Sequence, residues 1–473
     1  MSLQISNLDP TLDVVHTLAR FEDEQFVLLF DSASQHRDRD ARYSILTADP
    51  VAITRIDGAI FGKNPMDLLR EWQSSLPAIA KEELESLPPF CGGIAGLMSY
   101  ELGQSFERIP CPEIDDFKTP AMLAGLFDWA IVWDHIAGTV RQYVLQLHNT
   151  EMRRQDRVAW IDERLRRGVK HHSAAPCPVA SDPRPFTDSP LCYQIEPSSE
   201  VYSVFTRDQY TAAVARVIEY IRAGDIFQAN LSQRLSAPWF GTATELYASV
   251  RTNNPAPFCG LLRTDEFSIV SASPERFLKV DRSRQVETRP IKGTRRRPRS
   301  PIADLYASAE LSTSEKDRAE NIMIVDLLRN DISRSCKPGT VKVTGLCEIE
   351  RFETVLHLVS TVVGTLRDDR DVWDLMTGCF PGGSITGAPK IRAMEIIAEL
   401  EPAVRGAYCG SLFFLGPCGD FDSSILIRTF TLKDGWVHFP VGGGIVADSE
   451  PLDEYRETLH KASGMIRSLL SKR

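Results

Sequence analysis

Several groups in this chain have residue types and spacings suited to chemistry on an anionic ligand. The run Pro381-Gly382-Gly383-Ser384-Ile385-Thr386-Gly387-Ala388-Pro389-Lys390 sets three glycines and two hydroxyls before a predicted helix. Free backbone N–H groups at such a terminus favour a phosphate or a carboxylate. Lys390 follows Gly387 by three positions, with Ala and Pro between, so this is not a P-loop and a small carboxylate is the better ligand. A tight structural turn is the plainer reading of the same residues. Gly442-Gly443-Gly444-Ile445-Val446-Ala447 formally matches a dinucleotide fingerprint, but Asp448-Ser449-Glu450-Pro451 interrupts where a helix would have to open. The bare backbone still lets a ligand approach closely. Glu454, Glu457 and Lys461 share one helix face, and Asp317 and Glu320 share another. Carboxylates from two helices beside an anion suit Mg²⁺, although surface acids paired with Lys and Arg give the same spacing. Lys292, in Arg289-Pro290-Ile291-Lys292-Gly293-Thr294, lies between an apolar residue and a glycine at a predicted strand end. Burial there would lower its pKa and free the amine as a nucleophile; an exposed lysine is the alternative. His357, in Val355-Leu356-His357-Leu358, reads as a hydrogen-bonded core histidine. Arg295, Arg296, Arg297 and Arg299 read as an exposed basic loop that steers an anionic substrate.

The elements that position these groups are legible in part. Tyr210, Ala213, Val214, Val217, Ile218 and Ile221 recur at helical spacing, with Thr206 and Gln209 as a capping box and Gly224 as the stop. Ser314 and Asp317 cap a predicted helix over 315–328. Residues 354–366 are β-branched and predict a strand, and 388–400 predict a helix with Pro389 in its first turn. Upstream, 25–30, 92–98 and 140–147 read as strands, 65–72 as a helix and 152–170 as an Arg-rich solvated helix. Residues 171–200 carry six prolines with Ser and Asp and no apolar periodicity, which predicts an exposed linker. The expected organisation is an α+β companion domain over 1–170, the linker over 171–200 and a catalytic domain over 201–473. Strands and helices mix without a regular βαβ period, so the fold class is α+β rather than a Rossmann fold or a barrel.

Composition narrows the function classes. With 43% hydrophobic and 25% charged residues over 473 positions, the chain has enough apolar side chain to fold. A net charge of −10 disfavours a nucleic-acid binder, which needs a positive surface. No 18-residue apolar run predicts a transmembrane helix, and residues 1–13 do not read as a secretory signal. Ten scattered cysteines without a CxxC pair read as reduced thiols, the expectation for a cytoplasmic protein.

Taken together and in order, residues 202–467 closely resemble the chorismate-utilising enzymes. The resemblance rests on Gly224-Asp225-Ile226-Phe227-Gln228, Ser232-Gln233-Arg234, Ser273-Pro274-Glu275-Arg276-Phe277 and Asp317-Arg318-Ala319-Glu320-Asn321. It continues through Arg329-Asn330-Asp331, His357-Leu358-Val359-Ser360, the 381–390 loop, Ile427-Arg428-Thr429, 442–446 and 454–461. The N-terminal part resembles the companion domain of the same enzymes more loosely. The resemblance implies large mixed sheets packed face to face with flanking helices. Within the family, members that aminate chorismate at C4 read Pro-Ile-Lys-Gly-Thr at the Lys292 position. Those that aminate at C2 and release pyruvate usually read Pro-Ile-Ala-Gly-Thr. The hydroxylating members carry a water-activating Lys where this chain has Gln228. C4 amination is therefore the expected activity, with C2 amination the alternative.

The resemblance also implies roles. Glu320 and Glu457 would hold Mg²⁺, supported by Asp317 and Glu454. Glu275 would act as general acid on the leaving C4 hydroxyl, and Lys292 would form a covalent adduct at C2. Arg428, Gly443 and Gly444 would hold the enolpyruvyl carboxylate. Gln228, His357, Thr386, Tyr408 and Lys461 would complete the chorismate pocket. None of the nine His is followed by x-Glu, and no Cys sits in a glutaminase-type elbow. A separate glutamine amidotransferase subunit is thus the expected ammonia source. In this family the N-terminal part can bind tryptophan. Ser32, Arg42, Tyr43 and Ser44 resemble that site, with structural, regulatory and empty versions all open.

Overall fold

The computed structural model describes residues 3–33, 41–79, 84, 86–147, 153–168, 185–186, 189–196, 200–298, 300–352 and 355–470. Local signals act where the sequence places them. Thr206 Oγ1 accepts from the Gln209 N–H at 3.1 Å and Gln209 Oε1 accepts from the Thr206 N–H at 2.8 Å, opening helix Arg207–Arg222. Ser314 caps helix Glu315–Ser333 by accepting from the Asp317 N–H. That helix outruns its expected end because Leu328, Asp331 and Ile332 continue the face buried by Asn321, Ile324 and Val325. Helix Lys390–Leu400 starts after Pro389, which is extended, because Gly387 and Ala388 pair with Gln228 and Ala229 instead of turning.

Among the described residues the strands form one sheet of thirteen and one of ten, with antiparallel ladders throughout. The two sheets face each other. In strand Phe26–Asp31, Phe26 and Leu28 enter the core between the sheets with Ile94, Leu97, Phe413 and Phe421. Val27 and Leu29 point the other way, toward Leu246 and Tyr247 of helix Ala243–Asn253 and Met465 and Leu469 of helix Pro451–Leu470. This is the two-residue period of a strand covered on both faces, and each such side chain contributes about 1.5–3 kcal/mol by burial.

Residues before 171 and after 200 share both sheets. Strand Phe26–Asp31 pairs with Phe258–Thr264, and Gly93–Met98 pairs with Ser411–Leu415. The expected boundary at 171–200 therefore does not separate one sheet from another. Most of the Pro-rich stretch lies outside the described residues; Tyr193–Gln194 forms a short strand beside Tyr202–Ser203. Cysteines among the described residues are free thiols, and no helix there is long and apolar enough to cross a membrane.

Candidate active site

Four elements converge at one end of the sheets. Strand Ile291–Arg296 carries Lys292 and pairs with Val355–Thr365, which places Ile291 opposite Val359 and Thr294 opposite His357. Helix Glu315–Ser333 packs over both strands and carries Asp317 and Glu320. Strand Trp436–Ile445 ends in Gly442-Gly443-Gly444, and helix Pro451–Leu470 follows with Glu454, Glu457 and Lys461. Pairing with Thr429–Lys433 stops at His438, while Gln228–Pro238 continues alongside to Ile445. The outer backbone edge at the glycines is therefore open to a ligand.

The glycines are the seam of the site. A methyl group on Gly443 would lie 3.2 Å from Glu454 Oε2, 3.7 Å from Lys461 Nζ and 3.8 Å from Glu457 Oε1. One on Gly444 would lie 3.3 Å from Lys292 Nζ and only 2.0 Å from Gln228 Nε2, so a side chain there would displace the amide. Gln228 is buried, and neither end of its amide has a hydrogen-bond partner among the described residues. An unpaired buried amide is costly, so this one is positioned to meet something that enters the site.

The charges are unbalanced in the same way. Burial holds the Lys292 amine below the ordinary lysine range against the pull of Glu320, with Lys461 reinforcing the drop. Burial pushes the Glu275 carboxyl up to about 7, opposed by hydrogen bonds from the Ser384 hydroxyl and the Ile291 N–H and by Lys292. Burial raises Glu320, with Asp317 and Glu454 adding to the effect, and raises Glu454, with Glu457 adding to it. Glu457 goes the other way: against burial, Lys461 at 2.7 Å holds it below the usual value. Burial also lowers the Arg428 guanidinium, which has no carboxylate partner among the described residues. Burial, with Arg428 nearby, pushes His357 down to about 3, so its ring is neutral, and its Nδ1 meets Thr294 Oγ1 at 2.8 Å.

Other residues singled out from the sequence are placed differently. Thr386 is buried and donates its hydroxyl to Gly382 O at 3.0 Å, closing the loop, while Ser384 is the loop hydroxyl that reaches Glu275. Tyr408 is buried with its ring 5.8 Å from the Arg405 guanidinium, which holds Ile385 O and Asn230 O and so backs the loop. Lys390 Nζ is committed to Asp331 and Cys379 O, both at 2.7 Å, and is not offered to a ligand. Lys461 also donates to Gly442 O. The basic run is no exposed loop: Arg295 and Arg296 lie in a strand, Arg295 pairs with Glu310 and Asp317, and Arg297 pairs with Asp304. Arg299 falls outside the described residues. Acids on the overlying helices pair with Arg295 and Arg297, which a run of arginines cannot reveal from sequence, while Arg296 stays exposed.

A cavity of about 810 Å³ lies between the sheets. Ser32, Arg42 and Tyr43 line it, with Asp31, Phe258, Arg276 and Phe414. Ser44 does not; on the opposite face of its strand it meets Asp31 and His135.

A family model described as chorismate binding enzyme matches residues 26–467. The aminodeoxychorismate synthase component 1 of Klebsiella aerogenes is 42% identical over 81% of this chain and 78% of its own length. The anthranilate synthase component 1 of Streptomyces coelicolor is 40% identical over 91% of this chain and 81% of its own. Anthranilate synthase component I of Streptococcus pneumoniae TIGR4 superposes with a TM-score of 0.73 at 30% identity, covering 91% of this chain and 94% of that one. With a mostly buried lysine and carboxylates from two helices gathered at the glycine strand end, and a family model matching residues 26–467, the chain belongs to the chorismate-binding enzymes.

Proposed function

We propose that the chain aminates chorismate at C4, giving 4-amino-4-deoxychorismate for 4-aminobenzoate and folate biosynthesis. Overall identity does not choose between amination positions, since relatives of both names match at about the same level. The observation that carries the reading is Lys292: a lysine amine held below its ordinary pKa, beside Gln228 and within the field of Glu275. A lowered pKa favours the free, nucleophilic form of the amine there. It attacks C2 of chorismate, the ring double bond shifts, and the C4 hydroxyl leaves as water with the proton of Glu275. Ammonia then adds at C4, the double bond shifts back, and the Lys292 amine leaves C2. Glu275, now ionised, takes the surplus proton.

Arg428 and the open edge at Gly443 and Gly444 receive the enolpyruvyl carboxylate. Gln228 offers its amide to the incoming nucleophile, and neutral His357 lies beside the ring. Thr386, Tyr408 and Lys461 shape the pocket. Glu320 and Glu457 would hold Mg²⁺, with Asp317 and Glu454 in support. Among the described residues no three His, Cys, Asp or Glu converge closely enough to hold an ion alone. Carboxylates from two separate helices are a donor set for a hard cation that takes one or two protein oxygens and completes its shell with water and substrate oxygens. When bound, the ion would neutralise the ring carboxylate of chorismate.

Ammonia comes from a separate glutaminase subunit, in keeping with the "component 1" in the relatives' names. Free cysteines suit a reducing, cytoplasmic setting. The 810 Å³ cavity is where tryptophan would sit, on Ser32, Arg42 and Tyr43, with Ser44 behind them. Tryptophan at 100 times its Kd is expected to add about 2.7 kcal/mol of stability. A thermal shift with tryptophan measures this, and an unchanged melting temperature at millimolar tryptophan removes the assignment.

The second reading, C2 amination with loss of pyruvate, draws on the 40% identity to the Streptomyces coelicolor protein. The test of both is the purified chain with chorismate, Mg²⁺ and ammonium at alkaline pH, coupled to aminodeoxychorismate lyase. The expected result is 4-aminobenzoate without anthranilate fluorescence; anthranilate as the product would overturn C4 amination.

A further inference from the structure

We infer that Asn321 is a positioning residue that sets the depth of helix Glu315–Ser333, and with it Glu320, against the strand that carries Lys292. The inference rests on Glu320 being a metal-holding carboxylate, as proposed above. Asn321 follows Glu320 directly but faces inward and has no solvent exposure. Its Nδ2–H donates to Leu358 O at 3.3 Å, and its Oδ1 accepts from the hydroxyl of Ser360 and from Cys347 Sγ at 3.6 Å. Donor and acceptor ends are thus both used on neighbouring strands.

Ser360 passes the link on in two directions. Its Oγ accepts from the Cys347 N–H at 2.9 Å, and its own N–H donates to Pro290 O at 3.2 Å, two residues before Lys292. The ladder between Lys342–Arg351 and Val355–Thr365 shifts register between Gly345 and Glu348, and Cys347 adopts φ +55° inside that bulge. The bulge turns the Cys347 N–H inward onto Ser360, a backbone form that persists only where its surroundings hold it. One buried amide therefore fastens the carboxylate helix, the bulge and the Lys292 strand to each other. The field of Glu320 is the largest charge effect on Lys292, so a change in helix depth is felt at the amine. Hydrogen bonds are directional and weaken steeply off their geometry, so an amide used at both ends fixes the helix at one depth.

The test compares Asn321→Ala, Ser360→Ala and Val325→Ala in the full chain. Val325 is buried on the same helix but makes no polar link. Binding of Mn²⁺ is followed by electron paramagnetic resonance of the free ion, with chorismate present and no ammonia source, alongside melting temperatures. Asn321→Ala is expected to weaken Mn²⁺ binding by about tenfold, the usual effect of losing a partner behind a ligand. Ser360→Ala, which keeps the bond to Leu358 O, is expected to weaken it less, and serves if Asn321→Ala does not fold. Val325→Ala is expected to lower the melting temperature and leave Mn²⁺ binding unchanged. Wild-type Mn²⁺ binding in both polar variants, or equal weakening in Val325→Ala, would overturn the inference alone. A wild-type chain that binds no Mn²⁺ would overturn it together with the metal reading of Glu320.

Discussion

Replacing Lys292 with Ala is expected to lower formation of 4-amino-4-deoxychorismate by at least about 10³-fold, the scale on which covalent nucleophiles are felt. The substitution removes the amine that attacks C2 and leaves the acid, the carboxylates and Arg428 in place. Lys292 lies mostly buried but makes no ion pair among the described residues, so its removal breaks no bonded partner and the fold should survive. Lys292→Arg should not restore the rate, because a guanidinium stays protonated and cannot attack. Lyase-coupled release of 4-aminobenzoate measures the effect. A second readout is the intact mass of the protein after exposure to chorismate and Mg²⁺ without ammonia. The wild type should gain the mass of chorismate less one water, and the Ala variant should gain nothing. A variant that keeps more than about a tenth of the wild-type rate would exclude the covalent route, since general acid catalysis alone leaves no such residue.

Glu275→Gln is expected to separate activity from stability. Loss of the acid should cost about 10²–10⁴ in kcat, with the KM for chorismate little changed, because Gln fills the same space. Stability should move the other way above neutral pH. The folded-state pKa of Glu275 is raised to about 7 by burial, so the folded chain holds this proton longer than the unfolded chain does. Below the unfolded value, near 4.5, both states are protonated and the residue is neutral to stability. As pH rises from there through 7, the unfolded chain gives up its proton first, and the wild type loses stability to the cost of ionising a buried carboxyl. That loss amounts to about 3 kcal/mol for a shift of this size. Gln cannot ionise, so the variant should melt above the wild type at pH 8 and show little advantage at pH 4.5. Urea unfolding at the two pH values checks this; a constant difference would mean that Glu275 is not the group that titrates.

Much of the site was legible from residue types. Lys292 stands out because it lies between an apolar residue and a glycine at a strand end, and Glu454 with Glu457 because they share a helix face. Ser384 was less visible. Two hydroxyls lie two residues apart in one loop, and only the turn at 382–386 shows that Thr386 closes on Gly382 while Ser384 meets Glu275. The role of Asn321 has no local signal at all, since its partners lie 26 to 39 positions away. The arginine run misled for a related reason: its acids sit on helices that a linear reading does not bring alongside.

The sequence by itself determined the local decisions. Caps set the starts of the helices at 207 and 315, two-residue alternation set which side of strand Phe26–Asp31 faces which core, and motif residues named the chemistry. Those are short-range effects, carried by bonds and side chains within a few positions of each other. Tertiary structure alone decided that strands from both ends of the chain share two sheets, that Gln228 is buried beside Gly444 with no partner among the described residues, and that Lys292 is desolvated. These are properties of what surrounds a group. Burial, field and unpaired hydrogen-bonding capacity come into being only when segments hundreds of residues apart are packed together.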